Sequence, residues 1–301
     1  MTEASLSTED LPERSRELLD DLVPRLAGVE GVVAVVLGGS WARGRARPDS
    51  DLDFGIYYDE ANPLDVAGIR AVAREVSPER ADSVTGLWEW GPWVNGGAWL
   101  TIGGTPVDLL YRSLDHQRTT IEAAERGEYE LHFGQQPPFG FFSPTLLGEL
   151  AIAEVLEDPR DALGPLKARV SRYPEALRSR VVEDFLWSAE FSLEAFARKA
   201  AARGDVYLAA STLARVGHAL GLALFALNRT YLLNDKTALA EIDAFEARPD
   251  AFRARVEGVL AAPGGDAAAL ERSVDAFQAL FAECASLAGP LYTPRFRLRE
   301  R

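Results

Sequence analysis

The chain is poor in the residues that hold soft metals or close covalent loops. A single cysteine, Cys284, and three histidines, His116, His132 and His218, are spread over 301 residues. One thiol excludes an internal disulfide and a Cys-based zinc cluster, and the histidines show no metal-ligand spacing. Positive charge is also short: 32 Lys and Arg stand against 46 Asp and Glu, a net charge of −14. A protein that works on long polyanions is expected to carry a basic surface, so this balance argues against nucleic acid as the main partner. A cationic small molecule suits it better, although acidity also serves solubility alone. No apolar run approaches the roughly 20 residues of a membrane span. The start, Met1-Thr2-Glu3-Ala4, lacks the basic and then apolar character of a secretory signal. A cytoplasmic protein without a membrane partner is therefore expected. Internal repeats and low-complexity tracts are absent.

What remains is an ordinary globular composition, 47% hydrophobic and 26% charged, in a chain long enough for two cores. Leu11, Leu18, Leu19, Leu22, Val23 and Leu26 recur at helical spacing over residues 8–27, with Ser7 or Thr8 as the cap and Gly31 after the end. Residues 32–37, Val-Val-Ala-Val-Val-Leu, are continuously apolar, as in a central strand buried on both faces. A short helix is expected over 40–43, a polar loop over 45–50, a strand over 51–58 and a helix over 63–76. Strands over 98–102 and 106–111 are joined by a Gly103-Gly104-Thr105 hairpin turn. Residues 115–127 read as helix and 129–143 as a connector rich in Pro, Gly and Phe.

From 144 to 287 the pattern is almost all helix. A long piece covers 175–202. Residues 207–227 are apolar nearly all round, as in the central helix of a bundle. Shorter helices follow near 238–246, 250–261 and 267–287, and the Arg-rich end from Pro294 reads as mobile. The fold class is α+β: a small mixed β-sheet domain with flanking helices over 1–128, a linker over 129–143, an all-α helical bundle over 144–290 and a tail over 291–301.

The chemistry concentrates in Gly38-Gly39-Ser40-Trp41-Ala42-Arg43-Gly44 and the following Ser50-Asp51-Leu52-Asp53-Phe54. Residues i and i+2 of a strand share a face, so Asp51 and Asp53 project together, away from Leu52 and Phe54. Two like charges that close are best tolerated with a cation between them. A Gly/Ser turn that opens a helix offers backbone N–H groups to an anion such as phosphate. The combination reads as metal-dependent nucleotide chemistry.

On these residues the chain resembles the DNA polymerase β-like nucleotidyltransferase superfamily. That signature is a hydrophobic residue, Gly, Gly or Ser, then a loop and Asp-hydrophobic-Asp/Glu-hydrophobic, filled here by Leu37, Gly39, Ser40, Asp51, Leu52, Asp53 and Phe54. Ala42-Arg43-Gly44 and Ser50-Asp51 resemble the branch of antibiotic (aminoglycoside or lincosamide) and minimal nucleotidyltransferases. The resemblance spans residues 30–112 and, loosely, the helical half. It implies Asp51, Asp53 and a third acid, Asp108 on a neighbouring strand, as catalytic metal ligands for Mg²⁺ or Mn²⁺, with Asp108 alternatively the general base. It also implies Gly39, Ser40, Arg43 and Ser50 around the phosphates of a nucleoside triphosphate, with ATP expected. In the helical half Asn228-Arg229-Thr230-Tyr231 and Lys236 resemble a segment that approaches the triphosphate in related enzymes. That places Tyr231 on base or ribose, Lys236 on phosphate and Arg229 on either. The plainer reading is a helix end, with Asn capping the last carbonyls.

The implied activity moves a nucleoside monophosphate to a hydroxyl of a small acceptor and releases pyrophosphate, with an antibiotic-resistance role. The rivals are an antitoxin-type enzyme that modifies a partner protein and a nucleotide-binding protein without chemistry. Arg215 and His218 stand too close together for the Arg/His pair of HEPN ribonucleases, against a fused nuclease. Glu89, with Trp88, Trp90 and Trp93 as a stacking wall, and Glu183, Asp184, Glu190 and Glu194 on the long helix, are further candidates for the acceptor side. A solvated helix face is the plainer reading of the latter.

Overall fold

A computed structural model of the protein describes residues 11–47 and 50–296. Among them, backbone proximity defines two units: residues up to 122 together with 130–172, and residues 123–129 together with 173 onward. Ser7 and Thr8, expected to cap the first helix, lie outside the described residues.

The first unit opens with α1 (Glu13–Ala27), β1 (Val32–Leu37), the single turn α2 (Gly39–Ala42) and β2 (Leu52–Tyr58). It continues through α3 (Val66–Val76), β3 (Gly97–Ile102), β4 (Thr105–Ser113) and α4 (Leu114–Glu125), which runs on into the second unit. After the small ribbon of β5 (Leu131–His132) and β6 (Phe141–Phe142) come α5 (Thr145–Ile152), β7 (Glu154–Glu157) and α6 (Gly164–Val170). Five strands form one sheet in the order β3-β4-β2-β1-β7, with only the β2–β4 pair parallel. Gly103 and Gly104 both take positive φ, as a tight hairpin between β3 and β4 needs.

Alternation along the strands builds the core. Leu52, Phe54, Ile56 and Tyr58 of β2, with Val107, Leu109 and Tyr111 of β4, join Leu19, Leu22, Leu26, Ile69 and Ala73 from α1 and α3 in one buried cluster. The intervening residues, Asp53 and Asp108 among them, therefore face the other side of the sheet. Farther along that side, Arg112 pairs with Glu149 of α5 at 2.8 Å.

Several elements depart from the sequence reading. The second strand begins at Leu52, so Asp51 sits just before its ladder. Residues 154–157, read as helix, form β7, pairing with β1. The long helix over 175–202 is α7 (Glu175–Ser192), a π-helical turn Leu193–Ala197 and α8 (Arg198–Ala202).

The second unit completes the chain with α9 (Val206–Leu227), α10 (Ala238–Ile242), α11 (Phe252–Ala261) and α12 (Ala267–Ala288). As expected, α9 is the central helix, packed on α7 and α12. It corrects one expectation: α9 is long and apolar enough to cross a membrane by length and composition. Two-thirds (67%) of its apolar window is nevertheless buried within the protein, as in a bundle core helix. The end of the chain, read as mobile from Pro294, is held as far as Phe296. Glu190 on α7 accepts from the Tyr292 hydroxyl and from the backbone N–H of Arg295 and Phe296.

Candidate active site

The parallel register sets Asp53 of β2 beside Asp108 of β4. Asp51, two residues before Asp53, adds a third carboxylate: one oxygen from each lies within 4.8 Å of the others. Asp51 is exposed and the other two are half-buried. Three hard oxygen donors at that separation suit a divalent cation such as Mg²⁺.

The turn after β1 is built against this group. The Gly38 N–H donates to the Asp53 carbonyl at 2.8 Å. Gly39 takes φ +57°, and a Cβ there would stand 1.7 Å from Asp53 Oδ2. Only glycine lets the backbone lie this close to the carboxylate. The next side chain, Ser40, has a buried hydroxyl with no hydrogen-bond partner among the described residues. Burying a hydroxyl without a partner is costly, and a ligand oxygen at that point would remove the cost. Arg43 is half-buried one turn on. Ser50 closes the loop before Asp51, its Oγ accepting from the Arg47 N–H at 2.8 Å.

The remaining candidates belong to the second unit or are held by partners of their own. Tyr231 and Lys236 belong to the second unit. Tyr231 packs on Tyr173 with ring centroids 4.8 Å apart, burial raises its phenol pKa, and Lys236 is exposed. Asn228 clamps the end of α9: its amide donates to the Leu224 and Ala247 carbonyls and accepts from the Ala247 N–H. Arg229 pairs with Glu175.

The acids of the long helix serve structure. Glu183 meets Arg295 at 3.2 Å and Asp184 accepts from the Tyr129 hydroxyl at 2.9 Å. Glu190 holds the chain end, and Glu194 accepts from Gln278 at 2.7 Å. Glu89 accepts from the Gly86 N–H at 2.6 Å and pins its own loop.

The expected wall of Trp88, Trp90 and Trp93 divides. Trp93 is buried against Phe141 and His116. Trp88 lines a cavity of about 510 Å³ with Glu60, Asp115 and His116, beyond the far ends of β2 and β4. Burial between the two indoles lowers the His116 pKa, so its ring stays neutral at lower pH. Trp90 instead stacks on Trp99, centroids 4.5 Å apart. Trp99 is the cross-strand partner of Asp108 and was not singled out from sequence. The signal for it was an apolar-rich strand placing a large ring at an edge position, legible only once the register is known.

The site joins a glycine turn to three clustered carboxylates that could hold a divalent cation. Residues 15–92 match the family model described as a nucleotidyltransferase domain. The matched stretch holds the Gly39–Ser40 turn, Asp51 and Asp53 and ends before Asp108. The chain is thus an enzyme with a nucleotidyltransferase domain, whose three acids fit metal-dependent nucleotidyl transfer. Residues 143–236 match a second model, described as a domain of unknown function (DUF4037). A search of curated proteins found no match. Among solved structures, a nucleotidyltransferase-like protein from Exiguobacterium sibiricum 255-15 is similar at TM-score 0.46 and 11% identity, over 90% of this chain and 76% of that one.

Proposed function

We propose that the protein transfers AMP from ATP to a hydroxyl of a small aminoglycoside-like molecule and releases pyrophosphate. The observation that carries this reading is the packing of the Gly39–Ser40 turn directly on Asp53, within a group of three carboxylates. A divalent cation held by Asp51, Asp53 and Asp108, Mg²⁺ or Mn²⁺, would neutralise phosphate charge and ease ionisation of the acceptor hydroxyl.

The rest is done by the chain. Gly39 gives close backbone approach to the β- and γ-phosphates, and the buried Ser40 hydroxyl donates to them. Arg43 and Ser50 flank the same phosphates. The acceptor oxygen attacks the α-phosphorus, the bond to the bridging oxygen breaks, and pyrophosphate leaves. Asp108 either takes the hydroxyl proton or only shares the cation; an Asp108 ionisation in the pH profile of kcat marks the first role. Tyr231 and Lys236 belong to this proposal as contacts to the nucleoside and the triphosphate. A cationic acceptor suits the net charge of −14.

The test is a pyrophosphate-release screen of the four nucleoside triphosphates against aminoglycosides and lincosamides, with Mg²⁺ and with Mn²⁺. The expected result is turnover with ATP that falls by about 10²- to 10³-fold in Asp53→Ala, the scale of losing one major electrostatic contact. A second readout needs no turnover. A non-hydrolysable ATP analogue with Mg²⁺ at 100 times its Kd raises wild-type stability by about 2.7 kcal/mol. Asp53→Ala should show no such gain. Near wild-type transfer in Asp53→Ala would remove the aspartates from the reaction.

A further inference from the structure

We infer that Trp99, backed by Trp90, is the platform on which the acceptor's ring sits; the inference rests on the nucleotidyltransferase reading above. Four positions fall in one row across the sheet. Gly38 bonds Asp53, Asp53 is in register with Asp108, and Asp108 is in register with Trp99. With strands about 4.8 Å apart, the row runs about 14 Å from the Gly38–Ser40 turn at one end to the Trp99 indole at the other. Cross-strand partners project to the same face, so the indole stands on the carboxylate side of the sheet.

Displacement at phosphorus places the attacking and leaving oxygens on opposite sides of the transferred group. With pyrophosphate leaving towards Gly39 and Ser40, the α-phosphorus lies over Asp53 and the attacking hydroxyl comes from beyond Asp108. That is where Trp99 stands.

Its surroundings are built for contact. Trp99 is 54% exposed, large for an indole in a sheet. Its backbone is pinned on both sides by Ser83, whose hydroxyl accepts from the Trp99 N–H at 3.1 Å and donates to its carbonyl at 2.9 Å. Trp90 lies nearly parallel to it, with 21° between the planes. Gly97 is fixed first by the neighbouring strand, since a Cβ there would stand 1.7 Å from the Leu109 carbonyl oxygen, and the same Cβ would come within 3.1 Å of the Trp90 ring. A fixed pair of indoles offers a flat apolar face and a negative ring centre, which suit the C–H face of a saturated ring and any amine it carries. The occupant is therefore a small ring-bearing alcohol. A stacked nucleobase of a polynucleotide would meet an acidic chain without a basic excess.

The experiment compares wild type, Trp99→Ala and Trp99→Phe, using ATP with Mg²⁺ and a panel of methyl glycosides, amino sugars, aminocyclitols and short oligonucleotides. Trp99→Ala should raise the acceptor KM by about 10- to 100-fold, the range of an aromatic stacking contact, and leave the ATP KM within about twofold. Trp99→Phe should recover most of the loss. Without ATP, titration of the best acceptor should quench intrinsic tryptophan fluorescence saturably in wild type and not in Trp99→Ala. An unchanged acceptor KM in Trp99→Ala, an ATP KM that rises in step, or a preference for oligonucleotides overturns the inference. So does a wild type that binds the non-hydrolysable ATP analogue yet turns over no ring-bearing alcohol. A wild type that neither binds the analogue nor releases pyrophosphate fails earlier, at the nucleotidyltransferase reading, and takes the inference with it.

Discussion

Two polar segments interrupt long apolar elements, one after β1 at Gly38–Arg43 and one after α9 at Asn228–Lys236. Both put a residue into the left-handed region, Gly39 at φ +57° and Arg229 at φ +53°. They resolve their polar groups in opposite ways. After α9 the groups satisfy one another: Asn228 bridges the helix end to Ala247, Arg229 meets Glu175 and Tyr231 packs on Tyr173. After β1 the turn buries the Ser40 hydroxyl with no partner among the described residues and presses Gly39 against the Asp53 carboxylate. A segment that closes its own hydrogen bonds is a helix end first. One that carries an uncompensated hydroxyl beside three acids gains stability from a ligand that brings oxygen and a cation.

The comparison is broken most forcefully at Gly39. Gly39→Ala puts a methyl group 1.7 Å from Asp53 Oδ2, at a φ that disfavours side chains. Transfer should fall by more than about 10²-fold, and stability by about 1–3 kcal/mol. Gly38→Ala is the control. Its φ is −118° and its nearest new contacts would be 3.7 and 3.9 Å, so it should stay close to wild type in melting temperature and in turnover. Equal damage from both substitutions would mean that the turn is merely intolerant, with no special role for the Gly39–Asp53 contact.

Asn228→Ala tests the other segment. It deletes three hydrogen bonds to backbone groups at the end of α9. A loss of about 2 kcal/mol is expected, seen as a melting temperature lower by roughly 3 °C for a chain of this size. The ATP and acceptor KM values should hold within about twofold if Asn228 is purely a cap. A raised ATP KM at unchanged stability would add Asn228 to the nucleotide contacts proposed for Tyr231 and Lys236 and erase the contrast.

How much of this was legible beforehand depends on the range of the interactions. The i, i+2 pairing of Asp51 with Asp53 is local, and so is the apolar alternation that sends Leu52 and Phe54 to the core; both could be read from residue spacing alone. The apolar girth of 207–227 announced the central helix for the same reason. Residues 154–157, Glu-Val-Leu-Glu, are too few for a period to show, and their strand exists only because β1 offers an open edge. The closeness of Asp53 and Asp108, and the place of Trp99 beside them, depend on register between strands far apart in sequence. The helix acids misled for a related reason. Glu190 looks like any acid on an amphipathic helix until the chain end folds back onto it.

The smallest expected effect is also the sharpest test of the turn. In a protein without ligand, Ser40→Ala removes a buried hydroxyl that finds no partner among the described residues, so stability should be unchanged or higher by up to about 1 kcal/mol. With ATP present the same change removes a donor to phosphate, so the ATP KM should rise by about tenfold, equivalent to one hydrogen bond to a charged group. The acceptor KM should stay constant, because the Ser40 end of the row is the leaving-group end. A hydroxyl with a purely structural role would give the reverse pattern, a lower melting temperature with an unaltered ATP KM. Stability and affinity must therefore move in opposite directions at this one atom if the turn after β1 is a seat for phosphate.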